Sequence, residues 1–510
     1  MMRFSFIKSF YVFLVLCVVT GSYAANAQTY DAPQRIELDV DEGKYPYHPR
    51  PMGKNGLALL SKSYTKETGT WTVIHYDTAF NQLLKKDISL GIPLVLSAIN
   101  SDENNFYALL QSATSGKPDV VNTYIINYNV VSRKIDVFSF YCPDKAVINT
   151  VCLWGDVFAF STYSSRAEEH IYLFNTKSLT VEQLYTQKTT PCEFQEACPD
   201  TVSNSLWLIT KFFESKRQTL FRLTQVDSKG KVIRERDIIA NENYYLNSCR
   251  MTRIDSSRLL LIGDYLSISK DGGFSTRNNN TGIFTVSIQN SEIQNMLFFE
   301  YGLLEGAIGT TNKKNTSDLY NNTYLVTQND SMIIVVSDFY TPEYVHEVYP
   351  DNRSVNTGIW IGTPYLATEA KLVGFRYHTA YFFIFDTFGK LLWYNAFNYN
   401  GFMLKRIKEL MQAYIEPQTN NTLYYFGFDG KLYSLINNKN DVLQPLSIEN
   451  IEPLSRFLSV NANMTYQCEH WYDNHFIYYG YQRLYNRYSA GGNSRKNSRY
   501  VFYANKLVYK

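Results

Sequence analysis

Forty-nine lysines and arginines against forty-seven aspartates and glutamates leave this chain of 510 residues close to neutral, and like charges nowhere gather into long runs. That distribution excludes a surface built to neutralise a phosphate backbone, so nucleic acid is not an expected partner. Forty-two tyrosines and thirty-two phenylalanines suit pleated, half-buried surfaces, which makes the strand the expected element throughout.

Residues 1–27 read as a signal peptide. Arg3 and Lys8 precede an apolar run from Phe10 to about Gly21, and Ala25-Asn26-Ala27 offers small residues at the cut. The apolar run falls short of the ~20 residues a membrane-spanning helix needs, and no later stretch approaches that length. The expected product is an exported chain, periplasmic or on the outer surface, with no transmembrane segment after cleavage.

Residues 28–510 read as one repetitive β domain. A short apolar run, a polar loop, an alternating run and a tight polar turn recur from Leu57–Leu60 with Trp71–Tyr76 onward. Further copies are Phe106–Leu110 with Thr123–Tyr128, Val157–Phe160 with Ile171–Phe174, Leu206–Thr210 with Leu220–Val226, and Leu259–Ile262 with Gly282–Ile288. Then come Met332–Val336 with Tyr344–Val348, Leu372–Phe375 with Tyr381–Phe385, Leu423–Phe428 with Leu432–Ile436, and Phe476–Gly480 with Tyr500–Tyr509. Turns at Asp77, Asn129, Asn175 and Asp227 recur at roughly 45–55 residues, near the period of four-stranded propeller blades. The expected fold is an all-β propeller of about seven four-stranded blades, with tandem β-sandwiches as the alternative. The terminal strand is expected to complete an early blade and latch the ring. Near 402–415, Leu404, Ile407, Leu410, Met411 and Tyr414 have helical spacing, which predicts an inserted helix or a long loop. The stretch from Asn486 to Arg499 reads as a loop.

Six cysteines remain after the signal peptide: Cys142, Cys152, Cys192, Cys198, Cys249 and Cys468. Six permit fifteen pairings, and the short spacing makes Cys192 and Cys198 the first disulfide candidates. Without a Cys-x-x-Cys or His-x-x-x-His unit, no metal site is expected. Catalytic residues are not identifiable, because a nucleophile elbow and a phosphate-cradling loop are both missing, and no cofactor is expected. Arg250, Arg253, Arg353 and Arg376 would matter only if the fold brought them together. The aromatic crowd near the C-terminus has functional content: Trp471, Tyr472, Tyr481, Arg483 and Tyr485 combine flat rings with polar groups, which suits a sugar or a peptide segment.

Some segments resemble known families. Ser269-Lys270-Asp271-Gly272-Gly273-Phe274-Ser275-Thr276 is similar to the structural Asp-box turn of sialidase-like propellers, with Ser275 in place of threonine and Thr276 in place of the aromatic. Asp386-x-x-Gly389-Lys390-Leu391-Leu392-Trp393 resembles the blade turn of quinoprotein-type propellers, whose tryptophans dock between blades. Tyr381–Asp386 running to Trp393, the Leu423–Ile436 hairpin with Asp429-Gly430-Lys431, and the ending Val501–Lys510 resemble a group of uncharacterised exported proteins of Bacteroidetes. That resemblance implies a secreted, propeller-like envelope protein and carries no activity. Asp77-Thr78-Ala79 and Asp330-Ser331-Met332 also resemble the short sites that such bacteria O-glycosylate. The functional expectation is a non-catalytic propeller binding a glycan or an envelope protein. Its rival is a propeller-type glycan hydrolase whose carboxylates come from different blades.

Overall fold

The computed structural model describes residues 34–508 apart from 64–68, 113–120, 143–146, 164–168, 185–190, 201, 216–217, 269–280, 302–318, 351–365, 400, 417–421, 429–430, 438–445, 449–457 and 487–497. The signal segment, the Ser269–Thr276 motif, Arg353, the Asp429-Gly430 turn and most of the 486–499 stretch lie outside the described residues.

The described strands assemble into eight antiparallel sheets. The first strands of successive sheets lie side by side, and the eighth returns to the first, so the sheets are blades around a closed axis. These axial strands are Tyr47–Pro51, Leu94–Ser101, Val147–Trp154, Cys192–Asp200, Arg250–Arg253, Tyr320–Gln328, Gln412–Ile415 and Leu458–Tyr472, in blades 1 to 8. The fold is therefore a β-propeller of four-stranded antiparallel blades, as expected, and its sheet count lies within one of the number anticipated. The repeat units at Met332 and at Leu372 are a single blade: Met332–Pro350 and Leu366–Asp386 are continuous strands paired along their whole lengths.

The uninterrupted apolar runs have a simple cause. In blade 1, Leu57 and Leu59 pack toward blade 8 while Ala58 and Leu60 pack toward blade 2, because side chains alternate across a strand and both faces are covered. The fourth strand of blade 1 faces water instead: Gln82–Ser89 carries Lys85, Lys86 and Asp87 along an exposed edge, which discourages pairing with other chains. Seven hydrophobic clusters among the described residues each bridge two consecutive blades.

Tight turns join first to second and third to fourth strands at one end of the ring, the turn end. Asp77, Asp227 and Asp386 each accept backbone N–H groups two and four residues on, closing the same five-residue turn in blades 1, 4 and 6. Its fourth position needs a positive φ, supplied by Gly230 at 87° and Gly389 at 81°, and by Phe80 at 64°. The Asp386 motif thus forms the expected blade turn, and Trp393 packs against the cluster between blades 6 and 7.

Closure runs opposite to expectation. Ser498–Val508 is the third strand of its own blade 8, and the N-terminal strand Arg35–Val40 adds to it as the outermost strand. A buried Arg35 secures this latch, donating to Gln482 Oε1 at 2.7 Å, pairing with Glu37 at 2.8 Å and lying over the Tyr503 ring.

Residues 402–415 contain no helix. Met403–Leu404 and Gln412–Ile415 are short strands, and burial alternates from Met411 to Ile415 with a period of two. The helical spacing fails because Ile407 is exposed, and the backbone of Leu410 and Met411 is instead claimed by the Tyr324 hydroxyl.

Candidate functional site in the axial cavity

The aromatic crowd near the C-terminus is a seam between blades 8 and 1. Trp471 is buried, donates Nε1–H to Gly56 O at 2.9 Å and stacks on Phe80. The Tyr481 hydroxyl accepts Tyr47 N–H at 2.7 Å and donates to Tyr47 O at 3.1 Å. Tyr472 stacks on His475, Arg483 lies over Tyr500, and Tyr485 is partly exposed. The five residues do not share one exposed surface: the rings of Trp471, Tyr472 and Tyr481 pack in the closure seam, while Tyr485 faces outward.

Cys192 and Cys198 are not joined by a disulfide, and all six cysteines carry thiols. Both sit on one extended strand, whose ~3.3 Å rise per residue puts six residues roughly 20 Å apart, against the ~5.5 Å between α-carbons that a disulfide requires. The arginines do not converge either. Arg250 pairs with Glu409, Arg253 with Asp200, and Arg376 with Glu343. Among the described residues, no three His, Cys, Asp or Glu side chains are grouped to hold a metal, and no helix is long and apolar enough to cross a membrane.

Polar side chains gather where the axial strands face one another. A cavity of about 560 Å³ is lined by Arg50 from blade 1, Asn100 and Ser101 from blade 2, Gln412 from blade 7, Gln467, Glu469 and His470 from blade 8, and Lys408 and Glu409 from the connection into blade 7. Many of these groups also tie blade to blade. Ser101 Oγ donates to Pro51 O at 2.9 Å, Asn100 Nδ2 to Val151 O at 3.3 Å, and His470 N to Gln412 Oε1 at 3.2 Å. Further round, Glu196 Oε2 accepts Met251 N–H at 2.5 Å and Gln195 Oε1 accepts Cys249 N–H at 3.2 Å. Each bond joins neighbouring axial strands or their immediate flanks, so the cavity wall is fixed by the contacts that close the ring.

Charges around the axis are paired. Glu469 accepts from Gln467 Nε2 at 2.7 Å and from the Tyr479 hydroxyl, with Arg50 at 3.7 Å. Glu409 pairs with Arg250 at 3.1 Å. Burial pushes the Glu196 carboxyl up to about 7, against the pull of Arg250 and the Met251 N–H, and nearby Glu409 pushes it further. Burial likewise raises Glu469, opposed by Arg50 and the Tyr479 hydroxyl. Lys408 and His470 are lowered, each chiefly by burial. Three carboxylates, Glu196, Glu409 and Glu469, thus face Arg50, Arg250 and Lys408 around one axis. Nothing local in the sequence marks these residues; the available signal was a charged or amide side chain on a blade's first strand.

No family model matches the chain, and no curated protein matches it. Among solved structures, it is similar to the WD40 domain of SCAP from fission yeast, at 10% identity and a TM-score of 0.39, over 92% of this chain and 98% of that one. It is similar to the periplasmic gluconolactonase PpgL of Pseudomonas aeruginosa, at 10% identity and a TM-score of 0.34, over 77% and 96%. It is also similar to an acylaminoacyl peptidase of Pyrococcus horikoshii, at 10% identity and a TM-score of 0.36, over 80% of this chain and 52% of that one. The chain thus spans about half the length of that peptidase.

Proposed function

We propose that this chain is a non-catalytic binding propeller, exported into the cell envelope, whose axial cavity takes an uncharged, hydroxyl-rich ligand such as a short glycan. The supporting observation is the cavity itself: about 560 Å³, lined by amide, hydroxyl and mutually compensating charged groups. That volume falls within the roughly 300–1,000 Å³ usual for ligand sites. Donors and acceptors stand side by side on its wall, which matches a sugar's hydroxyls, each of them donor and acceptor at once. The lining carries two acids, Glu409 and Glu469, against two bases, Arg50 and Lys408, so it presents no excess of formal charge to select an anion or a cation. Export is supported by the order of Arg3, Lys8, the apolar run and Ala25-Asn26-Ala27.

A second reading, a glycan hydrolase, is favoured by one observation: two carboxyls from different segments, Glu409 and Glu469, line the same cavity, and burial raises Glu469. A carboxyl raised by burial is what proton donation to a leaving group requires. One experiment separates the two. Residues 28–510 and the Glu469→Gln variant are applied to an array of host and bacterial glycans, with bound protein and released product read in parallel. Retention without product, weakened by the substitution, supports binding. Product formation lost in Glu469→Gln selects the hydrolase, and silence in both channels redirects the search to an envelope protein as partner.

A further inference from the structure

A second polar cleft lies away from the axis, between blades 4 and 5 at the turn end, with a volume of about 180 Å³. Arg253 ends the axial strand of blade 5 and projects into it. Its Nε donates to Asp255 O at 2.9 Å and its Nη1 pairs with Asp200 at 2.5 Å. Its Nη2 is shut off from solvent and has no hydrogen-bond partner. A buried guanidinium N–H without an acceptor is a costly arrangement, which a bound oxyanion relieves once the Arg253 side chain turns Nη2 into the cleft.

The acceptors nearby are already engaged. Asp200 takes the N–H groups of Val202 and Ser203, the Ser203 hydroxyl and Arg253. Asp255 takes the N–H groups of Ser257 and Arg258, the Ser257 hydroxyl and Arg258 Nε. Those bonds hold the Asp255 carboxyl down at about 2, so it stays ionised and offers no proton of its own. Arg234, exposed on the outer strand of blade 4, commits one nitrogen to Ser291 Oγ at 2.9 Å. Arg258 lies over the Phe388 ring, 4.9 Å from its centre. Three guanidiniums thus face two saturated carboxylates, leaving an excess of donors and of positive charge.

The same first-to-second-strand turn recurs at Asp102, Asp200 and Asn329, each accepting N–H groups two and three residues on. Two positions before it stand Asn100, Cys198 and Thr327. Only blade 5, among these four, places an arginine there, so Arg253 is not a requirement of the turn.

We infer that the cleft between blades 4 and 5 binds a small oxyanion, sulfate, phosphate or the carboxylate of a larger ligand, held by Arg253 and Arg234 with Arg258 at its rim. Planar guanidinium groups match the paired oxygens of such anions. This site is separate from the axial cavity, and its test does not depend on the ligand proposed there.

The test is calorimetric titration of residues 28–510 with inorganic sulfate, inorganic phosphate and acetate at constant ionic strength, with chloride as control. At least one anion is expected to bind saturably. Sulfate or phosphate binding would identify a tetrahedral group, whereas acetate alone would identify a carboxylate. Arg234→Ala removes an exposed side chain and is expected to weaken binding roughly tenfold, the loss of one charge-assisted contact. Arg253→Gln should abolish it, and if that variant fails to fold, Arg234→Ala decides. Heats no different from chloride for all three anions, or unchanged affinity in Arg234→Ala, would overturn the inference and leave the cleft to water.

Discussion

Replacing Asp338 by asparagine tests how a buried carboxyl supports the wall of the axial cavity. Asp338 lies on the second strand of blade 6 and is wholly buried. The Tyr324 and Tyr399 hydroxyls donate to it at 2.8 and 2.6 Å. Tyr324 in turn accepts the N–H groups of Leu410 and Met411 at 3.1 and 2.9 Å, fixing the chain just after Glu409. Burial raises the carboxyl from 3.8 to about 7, the two tyrosine donors opposing it. Because the folded value exceeds the unfolded one, the carboxyl's full contribution is present below about pH 4 and is lost as pH rises toward 7. At about 1.4 kcal/mol per pH unit, the loss across that window totals about 4 kcal/mol and stops above it. The amide in Asp338→Asn cannot titrate, so the stability difference between wild type and variant should shift by about 4 kcal/mol in the variant's favour from about pH 4 to about pH 7.5. Urea unfolding of both proteins at half-unit pH steps measures this, and other titrating groups cancel in the difference. Parallel stability curves would refute the reasoning, because they would mean that Asp338 stays ionised throughout.

Arg35→Ala removes the buried cation of the latch and leaves Gln482 and Asn505 without it; breaking such a pair costs about 3–5 kcal/mol, read from urea unfolding. Gly389→Ala should destabilise by about 1–3 kcal/mol, since a left-handed φ is compounded by a Cβ placed 2.8 Å from Thr285 Oγ1. Gly230→Ala, whose nearest neighbour would be the movable Leu173 Cδ1 at 3.3 Å, should cost less, and thermal melts of the two variants compare them directly. Alkylation of unfolded protein without reductant should modify all six described cysteines, as read by mass; protection of Cys192 and Cys198 would restore the disulfide expectation.

Fold class was legible because a propeller repeats its physics locally. Every blade needs a second strand apolar on both faces, such as Leu57–Leu60, and a turn that an Asp or Asn can close, such as Asp227-Ser228-Lys229-Gly230. Blade boundaries were less legible, because Met332–Pro350 and Leu366–Asp386 contain enough polar residues to read as two units when they are one long hairpin. The site was not legible at all. Arg50 and Glu469 are 419 positions apart in the chain and meet only because the ring closes. The aromatics from Trp471 to Tyr481 were conspicuous in the sequence, and several of them pack the seam between the first and last blades.

That seam links ring stability to the cavity. Arg50 opposite Glu469, Trp471 on Gly56 and Tyr481 on Tyr47 all join blade 1 to blade 8, and two of the cavity's charged walls belong to this single junction. The outer strand Arg35–Val40 holds the same junction from the rim, with Ile36 in its hydrophobic cluster. Loosening the rim should therefore open the axis before it unfolds the blades. In hydrogen exchange, Arg35→Ala should accelerate the backbone amides of Tyr47, His48, Arg50 and 500–505 while those of 205–215 and 218–226 in blade 4, across the ring, keep their protection. Chain separation at the seam costs only the contacts of one interface, whereas exposing blade 4 requires melting its own four strands and both of its neighbours' packing. Equal acceleration in both regions would mean that the propeller opens as one cooperative unit, and the seam would then be no weaker than any other interface.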